Sequence, residues 1–169
     1  MKPQMREQSW SGRTVRIAAM NPGEQAQRIQ DAVAYRAYQY FMARQAKPDH
    51  QLDDWQRAAS EIVRPLDSGF VILDDKISLN IDIRIFGEGP IEVFPQPRRL
   101  IIGGKPRAPQ EGSGTGQDHP SLQEDRIYGV VELPVETDPS QVTARFNGPI
   151  LEIELARAPQ KVLPWPNVA

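Results

Sequence analysis

Few residues of this 169-residue chain could perform chemistry, because cysteine is absent and histidine occurs only twice. Without cysteine the chain has no thiolate nucleophile, no disulfide and no cysteine-ligated metal. His50 and His119 both stand in polar stretches beside prolines, where a solvated imidazole is far commoner than a ligand or a general base. These counts predict a cytoplasmic protein that is not an enzyme and that binds no cofactor and no metal.

Two acidic pairs are the other candidates for acid–base or metal chemistry. Asp53-Asp54 stands where a helix is expected to begin, so Asp53 is interpreted as its N-cap. Asp74-Asp75, followed by lysine, is typical of a turn between strands. The glycine run at 112–116 lacks the lysine and the following helix of a phosphate-binding loop. The sequence therefore favours a protein that works by binding through its surfaces.

The net charge of −2 is distributed unevenly along the chain. Residues 1–65 carry ten Lys/Arg against seven Asp/Glu, a balance of +3, and residues 66–169 carry ten against fifteen, a balance of −5. The four basic residues within 1–20 are too sparse for a nucleic-acid-binding face. No stretch has the apolar length of a membrane-spanning helix. Proteins, rather than nucleic acid or membrane, are therefore the expected partners.

The elements that must form these surfaces change type at about residue 66. Residues 24–64 carry apolar side chains at three- and four-residue spacing with a break at 47–50, which predicts two helices. After residue 66, short runs alternate apolar and polar residues, most regularly over 77–85. Six or seven short apolar-rich runs, separated by Pro, Gly and Asn, predict an antiparallel β-sandwich in an α+β fold: residues 70–73, 77–85, 91–94, 100–102, 127–133, 142–146 and 150–155. Because helical crossovers between these runs are missing, a parallel sheet is not expected.

The predicted organisation has four parts, namely a basic arm, a helix–loop–helix, a sandwich and a proline-rich tail: residues 1–23, 24–65, 66–158 and 159–169. The Gly/Ser-rich stretch 108–123 inside the sandwich is interpreted as a flexible linker. About forty residues rarely bury enough surface to fold alone, so the helix pair is expected to pack against another element. Trp55 is expected to lie between the two helices.

The segment 132–155 carries the most specific pattern of the chain. A strand ends in Leu133-Pro134, and an acidic turn, a Val-x-Ala strand, the pair Asn147-Gly148 and an alternating final strand follow. Asn147-Gly148 is expected to supply the positive-φ residues of a tight hairpin. This order resembles the second half of the alpha-crystallin domain of small heat-shock proteins. The earlier strands match that family in order and spacing over residues 77–85, 91–93 and 100–104, so the resemblance covers about residues 68–158.

The resemblance implies an immunoglobulin-like sandwich that acts as an ATP-independent chaperone, a holdase of the bacterial stress response. Such a protein binds exposed apolar segments of unfolding client proteins and assembles into a homodimer or a larger oligomer. Edge strands suit this task because their unpaired backbone groups can pair with an extended peptide. The residues predicted to contact clients or partners are apolar positions of the expected edge strands and of the final strand: Ile91, Val93, Leu100, Ile102, Leu151 and Ile153. The same residues also fit a plain core, and both interpretations stay open.

A different function class is a structural or accessory subunit of a larger protein complex. The tail at 162–166 lacks the Ile/Val-x-Ile/Val motif with which family members fill a neighbour's groove, and only Arg126 lies near the position of the family's interface arginine. The helical part also resembles a short bacterial domain of unknown function, through Ala37-Tyr38 and Asp54-Trp55. That resemblance implies architecture and no chemistry. In this alternative Trp55 is a candidate partner contact, because tryptophan is enriched at binding hot spots.

Overall fold

The computed structural model describes residues 8–10, 13–107 and 126–159, with side chains from residue 13 onward. The helices of this part are α1 (Pro22–Ala43) and α2 (Gln51–Ile62), joined through a single 3-10 turn at Pro48–His50. Its strands are β1 (Gln8–Trp10), β2 (Arg13–Ile17), β3 (Val63–Pro65), β4 (Ser68–Ile72), β5 (Lys76–Asp82), β6 (Ile91–Pro95), β7 (Arg99–Gly104), β8 (Ile127–Glu132), β9 (Thr137–Asn147) and β10 (Ile150–Arg157). The linker predicted at 108–123, His119 and the tail beyond Pro159 lie outside the described residues.

The strands form two sheets that pack face to face. One has the order β1-β2-β6-β7-β8-β3 and the other β4-β5-β10-β9. The regular alternation of β5 and β10 brings six fully buried side chains into register between the sheets: Ile77, Leu79, Ile81, Leu151, Ile153 and Leu155. This arrangement confirms the predicted α+β class with a β-sandwich.

The six-stranded sheet is mixed rather than purely antiparallel. β2 runs parallel to β6, with Val15 opposite Ile91, and β3 runs parallel to β8, with Val63 opposite Tyr128. The expectation of a sheet without parallel pairs is therefore wrong. Parallel strands cannot be joined by a tight turn, and neither pair here is consecutive in sequence. The helices α1 and α2 join β2 to β3 across the sheet, so that the two strands pair with β6 and β8 on opposite sides of the β6-β7-β8 unit.

The N-terminal segment contributes to the fold rather than forming a solvated arm over its whole length. Val15 of β2 is buried in the sandwich core. Asn21 then caps α1, since its side chain accepts a hydrogen bond from the Gly23 N–H at 2.8 Å. Pro22 occupies the first helical position, where its missing N–H costs nothing. The helix thus begins two residues before its predicted start, and the solvated-arm interpretation is wrong for residues 13–17.

The helix pair covers the outer face of the six-stranded sheet. Phe94, Ile101 and Tyr128 of that face are buried. They form a cluster with Val130 of the same sheet and with partly buried side chains of the helical segment and its flanks: Ala18, Met20, Ile29, Ala32 and Ile62. The expectation that the helices pack against another element is confirmed. The described chain therefore has three layers, which are the helix pair, the mixed sheet and the four-stranded sheet.

Polar contacts centred on Glu61 hold the two helices together. Glu61 accepts hydrogen bonds from Arg36 Nε at 3.0 Å and from the Tyr40 hydroxyl. The Arg57 guanidinium lies 4.3 Å from the centre of the Tyr40 ring, a cation–π contact. Farther along the pair, Arg44 forms an ion pair with Asp54. We refer to the Glu61, Arg36, Tyr40 and Arg57 contacts as the Glu61 clasp.

Two details predicted for α2 are wrong. Asp53 is not the N-cap, because the helix begins at Gln51 and the Asp53 carboxylate instead faces His50 Nδ1 at 3.2 Å. Trp55 does not pack between the helices, because it is 39% exposed. The contacts recorded between the two helices are instead the polar ones of the clasp and the Arg44–Asp54 pair.

The hairpin turns of the four-stranded sheet match the prediction in one case and shift in the other. Asp74-Asp75 forms the turn between β4 and β5, as predicted. In the β9–β10 hairpin Asn147 pairs with Ile150, so the two turn residues are Gly148-Pro149 rather than Asn147-Gly148. Of the two turn residues, only Gly148 has a positive φ, +59°, which glycine adopts without a steric cost.

The Glu61 clasp predicts a pH-dependent contribution to stability. Burial raises the pKa of Glu61, but the hydrogen bonds from Tyr40 and Arg36 outweigh it, so the pKa lies below its ordinary value of 4.5. Because this pKa is lower in the folded chain than in the unfolded one, ionised Glu61 stabilises the fold at pH values above the unfolded-state pKa. This stabilisation is lost as the pH falls through the folded-state pKa.

We expect Glu61→Gln to lower the free energy of unfolding by about 1 kcal/mol at pH 7 and by less near pH 3. Urea unfolding at both pH values measures this, with Glu88→Gln, an exposed loop glutamate, as control. An equal loss at both pH values would contradict the prediction.

Candidate protein-binding edge

The residues predicted to contact clients lie in the core. Ile91, Val93, Leu100, Ile102, Leu151 and Ile153 are all at most 1% exposed. The edge-strand assignment of the first four is wrong, because β2 covers one side of β6 and β8 covers one side of β7. Of the two interpretations left open by the sequence, the plain core is the one that the structure supports. The contact role predicted for these residues has no exposed surface through which to act.

Most sheet ends of the described chain are protected against pairing with another strand. β3 has three residues and ends in Pro65, and β1 also has three residues. β9 is longer, but all its exposed positions are polar: Ser140, Gln141, Thr143, Arg145 and Asn147. Short edges, prolines and polar or charged side chains are the usual means by which proteins prevent edge-to-edge association.

β4 lies at the other end of the four-stranded sheet and lacks this protection. Phe70, Val71, Ile72 and the following Leu73 are 51%, 57%, 42% and 42% exposed. Phe70 and Ile72 share a face with Leu79 and Ile77 of β5, which are fully buried. The sandwich core therefore stops at β5, and both faces of β4 expose apolar side chains. We refer to Ser68–Leu73 as the β4 edge.

The backbone of β4 presents hydrogen-bonding groups on its outer side. The Leu73 N–H donates to the Lys76 carbonyl at 2.8 Å, and the Asp82 N–H donates to the Asp67 carbonyl at 3.4 Å. Bonded and non-bonded pairs alternate along an antiparallel ladder. The N–H and C=O groups of Ser68, Phe70 and Ile72 therefore point away from β5. No strand of the described residues pairs with β4 on that side.

Carboxylates stand at both ends of the β4 edge. Asp67 precedes it, Asp74 and Asp75 follow it, and all three are exposed. No described side chain forms an ion pair with them. By contrast, the carboxylate of the neighbouring Asp82 accepts hydrogen bonds from Arg84. These bonds hold the pKa of Asp82 below its ordinary value. We refer to Asp67, Asp74 and Asp75 as the acidic rim.

The far end of the β4 edge is fixed to β10. The Arg157 N–H donates to the Asp75 carbonyl at 2.8 Å, and its guanidinium donates to the carbonyls of Leu73 and Asp74 at 3.1 and 3.3 Å. Beside these contacts lies an open cavity of about 500 Å³, lined by Asp74, Asp75, Arg157, Ala158 and Pro159. The β4–β5 turn is thus held in place next to space that a long side chain could enter.

The helices also expose large apolar side chains. We refer to them together as the helix surface: Tyr35, Tyr38, Met42, Leu52 and Trp55. Trp55, the one predicted partner contact that the structure leaves exposed, belongs to this helix surface. Tyr38 contacts the Phe41 ring at a centroid distance of 6.5 Å.

The described part of the chain has neither a metal-binding cluster of side chains nor a membrane-spanning helix. Across residues 13–107 and 126–159, no three His, Asp or Glu side chains gather into a group that could hold a metal ion. Neither α1 nor α2 is long and apolar enough to cross a membrane.

Sequence reasoning predicted a strand at 70–73 but not its role. The available signal was its four consecutive apolar residues, which a half-buried strand would interrupt with polar ones.

Comparison with solved structures finds small heat-shock proteins. Heat shock protein 16.0 from Schizosaccharomyces pombe is 14% identical and aligns over 56% of this chain and 87% of its own, with a TM-score of 0.39. HSP18.5 from E. histolytica is 15% identical over 62% of this chain and 97% of its own, with a TM-score of 0.41. The hspA protein from Xanthomonas axonopodis is 19% identical over 56% and 94%, with a TM-score of 0.39.

These neighbours belong to the family that the strand pattern resembles, so the predicted resemblance is confirmed. Neither the identities nor the TM-scores extend the likeness to function. No protein-family model and no curated protein matches the sequence. The resemblance of the helices to a short bacterial domain of unknown function stays a prediction.

The contrast between core and edge gives a stability prediction. Ile153→Ala removes a fully buried side chain between the sheets, so we expect it to lower the free energy of unfolding by about 2–5 kcal/mol. Val71→Lys places a charge at a solvent-facing position of β4, so we expect a change within about 0.5 kcal/mol. Urea unfolding of both variants measures the difference. A loss above 2 kcal/mol for Val71→Lys would show that β4 is part of the core.

Proposed function

We propose that this protein is an ATP-independent chaperone, a holdase that captures exposed apolar segments of unfolding proteins at the β4 edge. The observation that carries this proposal is the run of four exposed apolar residues, Phe70–Leu73, on an unprotected edge strand. The proposed setting is the cytoplasm, and the partners are proteins rather than small molecules.

Capture occurs by addition of a strand to the four-stranded sheet. A client segment in extended conformation pairs its backbone with the outward N–H and C=O groups of Ser68, Phe70 and Ile72. Its alternate side chains cover Phe70 and Ile72 on one face and Val71 and Leu73 on the other. Because most of the affinity comes from backbone pairing and apolar contact, many client sequences are accepted.

The energetics favour reversible capture. Fully burying one large apolar side chain contributes about 1.5–3 kcal/mol, and the β4 side chains are already about half buried. Each backbone hydrogen bond adds about 1 kcal/mol net. Ordering the client backbone costs about 1–2 kcal/mol per residue, which offsets most of this gain. The balance allows a client to be held while it is unfolded and released when it folds.

The proposal predicts that one charge on the β4 edge strongly reduces chaperone activity. Wild-type protein at stoichiometric amounts is expected to suppress the heat aggregation of an unrelated client, measured by light scattering. Val71→Lys is expected to lose most of this suppression, because a lysine on the edge strand opposes strand addition. Thr143→Lys is the matched control, since it adds the same charge at an exposed position of the opposite edge strand, β9.

Two results would contradict the proposal. Equal loss in the Val71→Lys and Thr143→Lys variants would show that the effect is one of charge and not of the β4 edge. Full activity of the Val71→Lys variant would place client capture on another surface.

A second candidate function is that of an accessory subunit, and the helix surface favours it. Tyr38, Met42, Leu52 and Trp55 provide a second exposed apolar surface whose aromatic content suits a fixed protein partner. This candidate predicts no suppression of client aggregation at any ratio. In that case Trp55→Ala is expected to release the partner that co-purifies with the protein, whereas Val71→Lys leaves it bound.

A further inference from the structure

We infer that the β4 edge selects extended apolar segments that carry lysine or arginine at both ends. The inference rests on the proposed strand capture and adds the class of segment that is captured. It is carried by the acidic rim, which places carboxylates at both ends of an apolar edge strand.

The length of the edge sets the spacing of the basic residues. Asp67 and Asp74 are seven residues apart, and a strand rises about 3.3 Å per residue, so their backbones are separated by roughly 23 Å. An added strand of equal length places its own ends beside the two ends of the rim, whether it runs parallel or antiparallel. The matching segment therefore has about five or six apolar-rich residues between basic residues.

Three described cations close to the rim are already engaged with other groups. Lys76 forms an ion pair with Glu154 at 3.1 Å, and Arg84 pairs with Asp82. Arg157 donates from its guanidinium to the carbonyls of Leu73 and Asp74. It offsets part of the charge of Asp74 and Asp75 and none of that of Asp67, so both ends of the edge stay negative.

The cavity beside the β4–β5 turn can receive a long basic side chain. Its volume is about 500 Å³, and its charged lining consists of the carboxylates of Asp74 and Asp75 and one cation, Arg157. A lysine or arginine at the end of an added strand can extend its aliphatic part along Pro159 and reach these carboxylates with its charged end.

The same charges disfavour a second copy of this chain as the occupant. In an antiparallel pair of two β4 edges, Asp67 of one copy comes close to Asp74 of the other at each end of the pair. Like charges opposite each other destabilise a strand pair. The rim therefore protects the apolar edge from self-association while it attracts basic segments.

Two fluorescent ten-residue peptides test the inference. They share one apolar core and carry two lysines or two glutamates at each end, and anisotropy measures their binding to the full chain. We expect the lysine peptide to bind roughly tenfold more tightly in 50 mM salt, and the difference to shrink in 500 mM salt, because these charges are exposed. The triple variant Asp67→Asn, Asp74→Asn, Asp75→Asn is expected to bind both peptides alike.

The matched control changes the same number of charges elsewhere: Glu24→Gln, Asp49→Asn and Glu88→Gln, three exposed acids outside the rim. It is expected to keep the preference for the lysine peptide. Equal binding of both peptides by the wild-type chain, or loss of the preference in the control variant, overturns the inference and leaves strand capture standing. Binding of neither peptide overturns strand capture itself. A native mass of two chains that Val71→Lys reduces to one identifies a second copy as the occupant and also overturns the inference.

Discussion

The pairing of β5 with β10 is the constraint on which the rest of the structure depends. Ile77, Leu79 and Ile81 lie opposite Leu155, Ile153 and Leu151, and all six are fully buried between the sheets. A slip of one residue would turn these side chains to solvent, so the register is strongly fixed. β4 takes its own register from β5. The core thereby determines that the backbone groups of Phe70 and Ile72 face outward.

The two sheets differ in how their edges are covered. In the mixed sheet, β2 and β3 add to β6 and β8, and the helix pair between them covers the outer face. In the four-stranded sheet, β9 ends the ladder with polar side chains, whereas β4 ends it with apolar ones. An apolar edge is a liability that proteins normally remove. Its presence here beside a rim of carboxylates is best explained by binding.

Sequence patterns predicted the elements after residue 66 because each strand there alternates or is bounded by turn residues. They also predicted both helices, from apolar spacing without proline over 24–44 and again between the break at 47–50 and Pro65. The edge strands could not be identified in the same way. Whether β6 is an edge strand depends on whether β2 pairs with it, and β2 is a five-residue strand that lies far from β6 in sequence. Trp55 was misplaced because spacing cannot tell that the Arg44–Asp54 pair and the Glu61 clasp, rather than an aromatic ring, join the helices.

Amide hydrogen exchange, resolved by residue, tests the role of the β4 edge most directly. The Leu73 N–H already donates to β5, and by alternation so does that of Val71, whereas the N–H groups of Phe70 and Ile72 face solvent. On addition of the lysine-flanked peptide, exchange is predicted to slow at Phe70 and Ile72 and to change little at Val71 and Leu73. Unchanged exchange at Phe70 and Ile72, with protection appearing around Trp55 instead, would contradict the account.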